Sequence, residues 1–139
     1  MNAVDTNVLV YSVDHDEPVK QAKAIALLDQ LTQPSVKTVL PWQVAGEYVS
    51  CLRRWQSTGR VTPVEVEQYL NRALALFPLA LPTRSVLSLA LDLHSRYSLS
   101  HWDSMLLAAC VEAGVKTLYS EDLGADTVYD MVTVINPFI

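Results

Sequence analysis

Residues 99–122 read L-S-H-W-D-S-M-L-L-A-A-C-V-E-A-G-V-K-T-L-Y-S-E-D, and this stretch predicts a helix followed directly by a strand. Ser100 is a favourable cap for a helix over His101–Ala113, and Gly114 is a typical helix stop. Lys116–Tyr119 then forms a short strand that ends near a pair of acidic residues. Alternation of this kind is typical of a parallel sheet covered by helices.

The rest of the chain repeats this alternation, with no linker and no shift in composition, so we predict one domain, residues 1–139. The predicted fold class is α/β: an α/β/α sandwich with a central, mainly parallel sheet of four to five strands. Asn7–Val13 remains undecided between helix and extended chain. The predicted strands are Ala3–Val4, Val36–Leu40, Leu79–Leu81, Lys116–Tyr119 and Val132–Ile135. The other predicted helices lie between Asp16 and Pro34 (with Val19, Ala22, Ile25, Leu28 and Leu31 at helical spacing), over Trp42–Gln56, from Thr62 to Leu76 and from Thr83 to Tyr97.

Composition excludes several classes of protein. Hydrophobic residues make up 50% of the chain and charged residues 18%, which excludes intrinsic disorder. A net charge of −5 argues against a basic nucleic-acid-binding surface of the usual kind. We also expect no membrane span, no signal peptide and, with only Cys51 and Cys110 present, no disulfide framework. These features together predict a cytoplasmic protein.

Four acidic residues occupy positions that packing alone does not explain. Asp5 and Asp122 follow predicted strands, and strand polarity brings the carboxyl ends of parallel strands to one edge of a sheet. Glu47 and Asp103 lie in apolar helices, where a buried carboxylate is costly unless a positive group meets it. Carboxylate oxygens are the ligands that Mg²⁺ and Mn²⁺ prefer. The four acids therefore predict a site for a divalent cation.

Each acid also has an ordinary structural interpretation. The sequence Ser100-x-x-Asp103 fits a capping box at a helix start. Asp5 could bond its own backbone in a turn, and Asp122 could cap a helix. The sequence leaves these alternatives open for each acid taken alone.

The ordered set of these motifs resembles the PIN domain family, and more narrowly the VapC-type toxins of prokaryotic toxin–antitoxin pairs. The resemblance rests on D-T-N-V-L-V-Y from Asp5, on Glu47, on L-S-H-W-D-S-M-L-L-A-A around Asp103, and on L-Y-S-E-D-L followed by V-I-N-P-F. It implies a parallel sheet between helices and a metal-dependent endoribonuclease. Asp5, Glu47, Asp103 and Asp122 match the family's acids, which hold Mg²⁺ or Mn²⁺ and cleave RNA phosphodiesters. A VapC-type toxin further implies a cognate antitoxin protein and a homodimer.

The same resemblance extends to residues around the acids. Thr6, Asn7 and Ser120 match polar positions that orient the acids in the family. Asp126 would lie one helical turn after Asp122 and could act as an outer ligand. To hold RNA, the sequence offers a cluster of arginines next to Trp55, whose alternative interpretation is a solvated helix end: Arg53, Arg54 and Arg60.

Two other functions remain open at this point. An aspartate-nucleophile phosphatase of the haloacid dehalogenase type would open with D-x-D, but Asn7 stands where its second Asp should be. That alternative also leaves Glu47 and Asp103 unexplained. A binding module with the PIN fold and no activity would instead use an aromatic helix surface, of which the candidate residues are Trp42, Tyr48 and Trp55.

Overall fold

The computed structural model describes residues 1–139 and contains six strands and six helices in one α/β/α arrangement. The strands are β1 (Asn2–Val4), β2 (Thr38–Pro41), β3 (Leu79–Ala80), β4 (Thr117–Tyr119), β5 (Val128–Tyr129) and β6 (Val132–Ile135). The helices are α1 (Thr6–Ser12), α2 (Pro18–Leu31), α3 (Trp42–Ser57), α4 (Pro63–Leu76), α5 (Arg84–Tyr97) and α6 (His101–Glu112).

The sheet runs in the order β3-β2-β1-β4-β6-β5. Every neighbouring pair is parallel except β5 and β6, which are antiparallel. The predicted α/β/α fold with a mainly parallel sheet is therefore confirmed. The sheet has six strands, whereas four to five were predicted. The missed strand is β5, which has only two residues and gives no recognisable strand pattern in the sequence.

Helix boundaries mostly follow the local signals in the sequence. The capping box at the start of α4 is formed: Thr62 Oγ1 accepts from the Glu65 amide, and the Glu65 carboxylate accepts from the Thr62 amide. The undecided stretch after Asp5 is the helix α1. The apolar residues at helical spacing in α2 do not form one buried face, because Val19, Ala22 and Ile25 are exposed. The buried residues of α2 are Ala24, Leu27, Leu28 and Leu31.

Burial and strand register bring the residues that follow β1 and β4 to the same edge of the sheet. Val4, Leu118 and Val134 on adjacent strands are fully buried and anchor the centre of the core. Parallel pairing sets Val4 opposite Tyr119, so the residues that follow β1 and β4 emerge side by side. The Asp5 amide donates to the Tyr119 carbonyl at 2.9 Å, which continues the ladder to the point where α1 begins. None of the helices combines the length and apolarity needed to cross a membrane.

The segment after β4 differs from the sequence prediction. No helix follows Ser120, so Asp122 is not a helix cap and does not share a helix face with Asp126. Asp126 instead adopts a left-handed backbone conformation with φ of 58°. Its amide donates to the Val134 carbonyl at 2.9 Å, which fastens this loop to β6.

Candidate active site

Asp5 lies at the carboxyl end of β1 and is only 5% exposed. It caps α1, since Oδ1 accepts from the Thr6 amide at 2.6 Å, and Oδ2 accepts from the Ser120 hydroxyl at 2.7 Å. Burial raises the pKa of Asp5 from its ordinary 3.8 to about 6, against the opposing effect of these two hydrogen bonds. The neighbouring negative charges of Asp122 and Glu47 raise this pKa further. Burial and the two acidic neighbours thus destabilise the charged form of Asp5.

Glu47 is tied to two helices by its two carboxylate oxygens. Thr6 Oγ1, at the start of α1, donates to Oε2 at 2.8 Å. Gln43, one turn earlier on α3, donates from Nε2 to Oε1 at 2.9 Å. Thr6 therefore connects two acids, because its amide holds Asp5 and its hydroxyl holds Glu47.

Asp122 joins the same network from the loop after β4. Asn7 Nδ2 donates to Asp122 Oδ2 at 3.2 Å and to Ser120 Oγ at 3.4 Å. The Asp122 amide also donates to Ser120 Oγ at 3.1 Å, so the buried Ser120 links this loop to Asp5. Asn7 Oδ1 is the one buried side-chain oxygen or nitrogen without a hydrogen-bond partner. This unsatisfied carbonyl oxygen could coordinate a cation or accept a hydrogen bond from a water.

Asp103 lies in the first turn of α6 and is not hydrogen-bonded to the other acids, and the structure does not bring its carboxylate together with theirs. Its amide donates to Ser100 Oγ at 3.2 Å, and its carboxylate makes no hydrogen bond of its own. The capping box is therefore only half formed, and the Asp103 carboxylate is not committed to the cap. The residue before Asp103, Trp102, is connected to the other acids, because its carbonyl accepts from Gln43 Nε2 at 3.1 Å and Gln43 also holds Glu47.

The oxygen donors of this site fit a hard divalent cation by their chemistry. Asp5, Glu47 and Asp122 are close enough for the charges of the last two to raise the pKa of the first. No three acidic, histidine or cysteine side chains converge closely enough to encircle an ion by themselves. Mg²⁺ usually retains several waters and binds directly to only one or two carboxylates, so it does not require such a cage.

A cavity of about 420 Å³ opens over these acids. Asp5 is buried and does not line this cavity, whereas Glu47 and Asp122 do. Arg54 brings a positive charge to the wall, and the rest of the lining is Thr6, Asn7, Val10, Tyr11, Ser50, Cys51 and Glu121.

The three predicted RNA-binding arginines have different environments. Arg60 stacks on the Trp55 ring at 4.0 Å and pairs with Asp14 and Asp16 at 3.0 and 3.1 Å. Arg53 is exposed on α3 and makes no ion pair. Arg54 alone lines the acid cavity, where it contacts Ser50 Oγ at 3.4 Å.

Sequence reasoning missed a second polar network on the cavity wall. Tyr11 donates to Glu121 at 2.6 Å, and Lys20 donates to both Tyr11 and Glu121 at 3.1 and 3.2 Å. The hydrogen bond to Glu121 raises the pKa of Tyr11. Tyr11 lies one turn after Asn7 on α1, so helical spacing would have placed it beside the acids. The sequence alone does not decide whether this segment is a helix. Gln43 gives no sequence signal, because a neutral polar residue on a helix surface is common.

We expect Asp5→Asn to stabilise the protein when divalent ions are absent. A carboxyl whose pKa rises on folding binds its proton more tightly in the folded state. Stability is therefore lost as the pH rises from about 4 to 6, by about 3 kcal/mol in total for the shift from 3.8 to about 6. Asparagine removes this cost but loses one acceptor worth about 1 kcal/mol, so a net gain of about 2 kcal/mol is expected at pH 7.5.

Urea unfolding in EDTA at pH 4 and pH 7.5 measures this effect. The gain should be present at pH 7.5 and vanish at pH 4. Asp92→Asn removes an exposed carboxylate of a surface pair with Arg96, and this control should change stability by less than about 0.5 kcal/mol. An Asp5→Asn protein that is no more stable than the parent at pH 7.5 would contradict the interpretation that burial raises the pKa of Asp5 and destabilises its charged form.

Comparisons with known proteins agree with this architecture. A sequence profile of the PIN domain family matches residues 3–130. No curated protein sequence matches the chain significantly. A toxin–antitoxin complex from Klebsiella pneumoniae contains a chain that superposes with a TM-score of 0.70 at 17% identity, covering 99% of this chain and 98% of that one. VapC20 of Mycobacterium tuberculosis, a toxin that cleaves the sarcin-ricin loop, superposes with a TM-score of 0.66 at 17% identity, covering 88% of this chain and 90% of that one.

Proposed function

Because this chain belongs to the PIN domain family, we propose that it is a metal-dependent endoribonuclease that hydrolyses RNA phosphodiesters with an activated water. The observation that carries this proposal is the linkage of Asp5, Glu47 and Asp122 through Thr6, Asn7 and Ser120. Three negatively charged groups held together in this way repel one another, and a bound cation relieves that repulsion without protonating them. The network therefore supports a site built for a positive charge.

The proposed ligands of Mg²⁺ or Mn²⁺ are Asp5, Glu47, Asp103 and Asp122. A divalent ion there would lower the pKa of a bound water and offset charge on the phosphate oxygens. Asp103 qualifies because its carboxylate has no structural partner. Asp126 is exposed and its amide is bonded to β6, so we assign it no role in holding the ion.

The chain's own residues would position these acids and the substrate. Ser120 holds Asp5 and the Asp122 amide, while Thr6 fixes Glu47 against α1. Asn7 orients Asp122 with its amide nitrogen and leaves its carbonyl oxygen free. Arg54 on the cavity wall is placed to pair with a phosphate of the RNA. The exposed Arg53 would contact an RNA phosphate outside the cavity. Arg60 already pairs with two acids and belongs to the scaffold.

We further propose that the protein is the toxin of a toxin–antitoxin pair and acts on RNA in the cytoplasm. The support is the fold shared along the whole chain with a chain of a toxin–antitoxin complex, and with an RNA-cleaving toxin. A free ribonuclease would damage its host, so a cognate antitoxin protein that covers the acid cavity is expected. A homodimer, common in this family, is part of the same proposal.

Incubation of the purified protein with total cellular RNA tests the activity. With Mg²⁺ or Mn²⁺ we expect discrete cuts with 5′-phosphate ends, and with EDTA none. Asp122→Asn should lower the cleavage rate at least 100-fold, whereas Asp92→Asn on α5 should cleave like the parent. RNA binding without cleavage would favour an inactive binding module, and activity on a small phosphomonoester alone would favour the phosphatase.

A further inference from the structure

Two tryptophans beside the acid cavity are largely open to solvent. Trp42 begins α3 and is 54% exposed, and Trp102 lies in the first turn of α6 and is 61% exposed. Exposed tryptophan is uncommon, and paired exposed aromatics usually mark a surface that binds something. Both rings line one cavity of about 450 Å³, together with Gln43, Gly46, Glu47 and Ser50. We call this cavity the tryptophan cleft.

The tryptophan cleft is continuous with the acid cavity. Glu47 and Ser50 line both of them. Gln43 Nε2 donates to Glu47 at 2.9 Å and to the Trp102 carbonyl at 3.1 Å, so α6 is fastened to the acid-bearing face of α3. The His101 ring packs edge-on against Trp102 with centroids 4.7 Å apart, which adds a second aromatic group at this end of α6. The position of the cleft relative to Glu47 is therefore fixed.

Gly46 gives a second, independent reason to expect a ligand. It lies inside the 16-residue helix α3, where glycine destabilises a helix relative to alanine. A Cβ at this position would meet nothing within 4 Å, so neither packing nor backbone conformation demands glycine. The missing side chain leaves the wall of the tryptophan cleft open. A flat group that enters the cleft would use that space.

We propose that the tryptophan cleft binds an unpaired base of the RNA chain beside the phosphate that is cut. This inference rests on the proposed ribonuclease function and names a part of the substrate that it recognises. The faces of all four bases stack on indole, so the cleft would select for unpaired nucleotides more than for sequence. A base inside a regular duplex is stacked on both sides and could not enter.

The chemistry of the cleft favours a base over a peptide. Glu47 is the only charged residue of the cleft, so the cleft offers no cation to an acidic peptide and suits the uncharged, flat part of a ligand. The neutral polar residues that line the cleft are Gln43 and Ser50. Gln43 Nε2 already donates to Glu47 and the Trp102 carbonyl, so the Gln43 amide oxygen and the Ser50 hydroxyl remain for the edge of a base. An RNA strand whose phosphate lies over Glu47 and Asp122 would carry an attached base towards this opening.

Cleavage of a short RNA containing one mapped cut site tests the proposal. Replacing single nucleotides near the cut by abasic residues should slow the parent protein about 5- to 100-fold at one position, which is the effect of losing one base–aromatic stack. Trp102→Ala should slow cleavage of the intact RNA by a similar factor. In this variant the abasic residue at that position should cause no further loss of rate. Gly46→Leu, which fills the cleft with a good helix former, should behave like Trp102→Ala. Trp102→Phe should recover most of the rate.

Leu91→Ala, a change at a 71% exposed site on α5, is the matched control and should cleave like the parent. Rates within twofold of the parent for Trp42→Ala, Trp102→Ala and Gly46→Leu would overturn the proposal. The proposal would also be overturned if cleavage by these variants were still slowed by the abasic residue as much as cleavage by the parent.

Binding without divalent ions separates this proposal from the ribonuclease function. If the protein cleaves no RNA, the function fails, but an unstructured 12-nucleotide RNA should still quench tryptophan fluorescence. An abasic chain of the same length should not, and Trp102→Ala should weaken RNA binding about 5- to 100-fold, with Trp55 remaining as the emission reference. Absence of quenching would overturn the base site. A change from dimer to monomer in Trp42→Ala with unaltered RNA binding would also overturn it, because the cleft would then lie between two copies.

Discussion

Asp103→Asn is expected to lower RNA cleavage at least 100-fold and to leave the folded protein intact. Ser100 Oγ accepts from the Asp103 amide, and asparagine keeps this bond because it changes only the side chain. The carboxylate itself makes no hydrogen bond or ion pair that folding could lose. Removing it takes away only a negative charge favourable at a helix N-terminus, so the free energy of unfolding should fall by less than about 1 kcal/mol.

Urea unfolding and the cleavage assay with Mg²⁺ or Mn²⁺ measure the two effects on the same preparation. Asp92→Asn controls for loss of an exposed helix carboxylate, and Ser100→Ala controls for the cap. Ser100→Ala should cost about 1 kcal/mol of stability with cleavage retained. An active Asp103→Asn protein with reduced stability would show that Asp103 serves the helix and not the chemistry.

The overall fold is predictable because helix and strand signals alternate clearly. Caps such as Thr62 with Glu65, and stops such as Gly59 and Gly114, define most boundaries. The details that escape prediction depend on tertiary packing. β5 has two residues and exists only by pairing with β6. The predicted face of α2 is wrong at Val19 and Ile25 because both are apolar yet exposed, and nothing local distinguishes them from Leu27.

For the candidate site, the polarity of parallel strands is enough to predict that Asp5 and Asp122 lie at one edge of the sheet. The hydrogen bonds that connect them cannot be read from the sequence, because Ser120 contacts Asp5 across 115 positions of the chain. The aromatic surface expected of a binding module is partly wrong, since Tyr48 is 2% exposed and belongs to the core. Only Trp42 of that group is largely exposed, and its neighbour in the cleft, Trp102, comes from a different helix.

The contacts of Asp5 favour the proposed role of metal ligand over that of nucleophile. In the phosphatase alternative, an Asp5 oxygen attacks phosphorus and becomes a phosphoenzyme, so it must reach the substrate directly. Here Oδ1 and Oδ2 both accept hydrogen bonds, and the residue lies beneath the cavity lining. The phosphatase also needs a proton donor two residues later. Asn7 occupies that position, and its amide donates to Ser120 and Asp122.

Direct attack by water therefore predicts inversion at phosphorus, whereas a phosphoenzyme predicts net retention after two displacements. An RNA with one phosphorothioate of known configuration at the cut site, cleaved in ¹⁸O-water, should give a 5′-thiophosphate of inverted configuration that carries the label. Mass spectrometry of the peptide containing Asp5, quenched in acid during turnover, should show no phosphoryl adduct and no RNA fragment linked through its 5′-phosphate. Retention of configuration, or an adduct on Asp5, would instead establish the nucleophile. Asp5→Asn should lower cleavage at least 100-fold under either mechanism, so the stereochemical result decides between them.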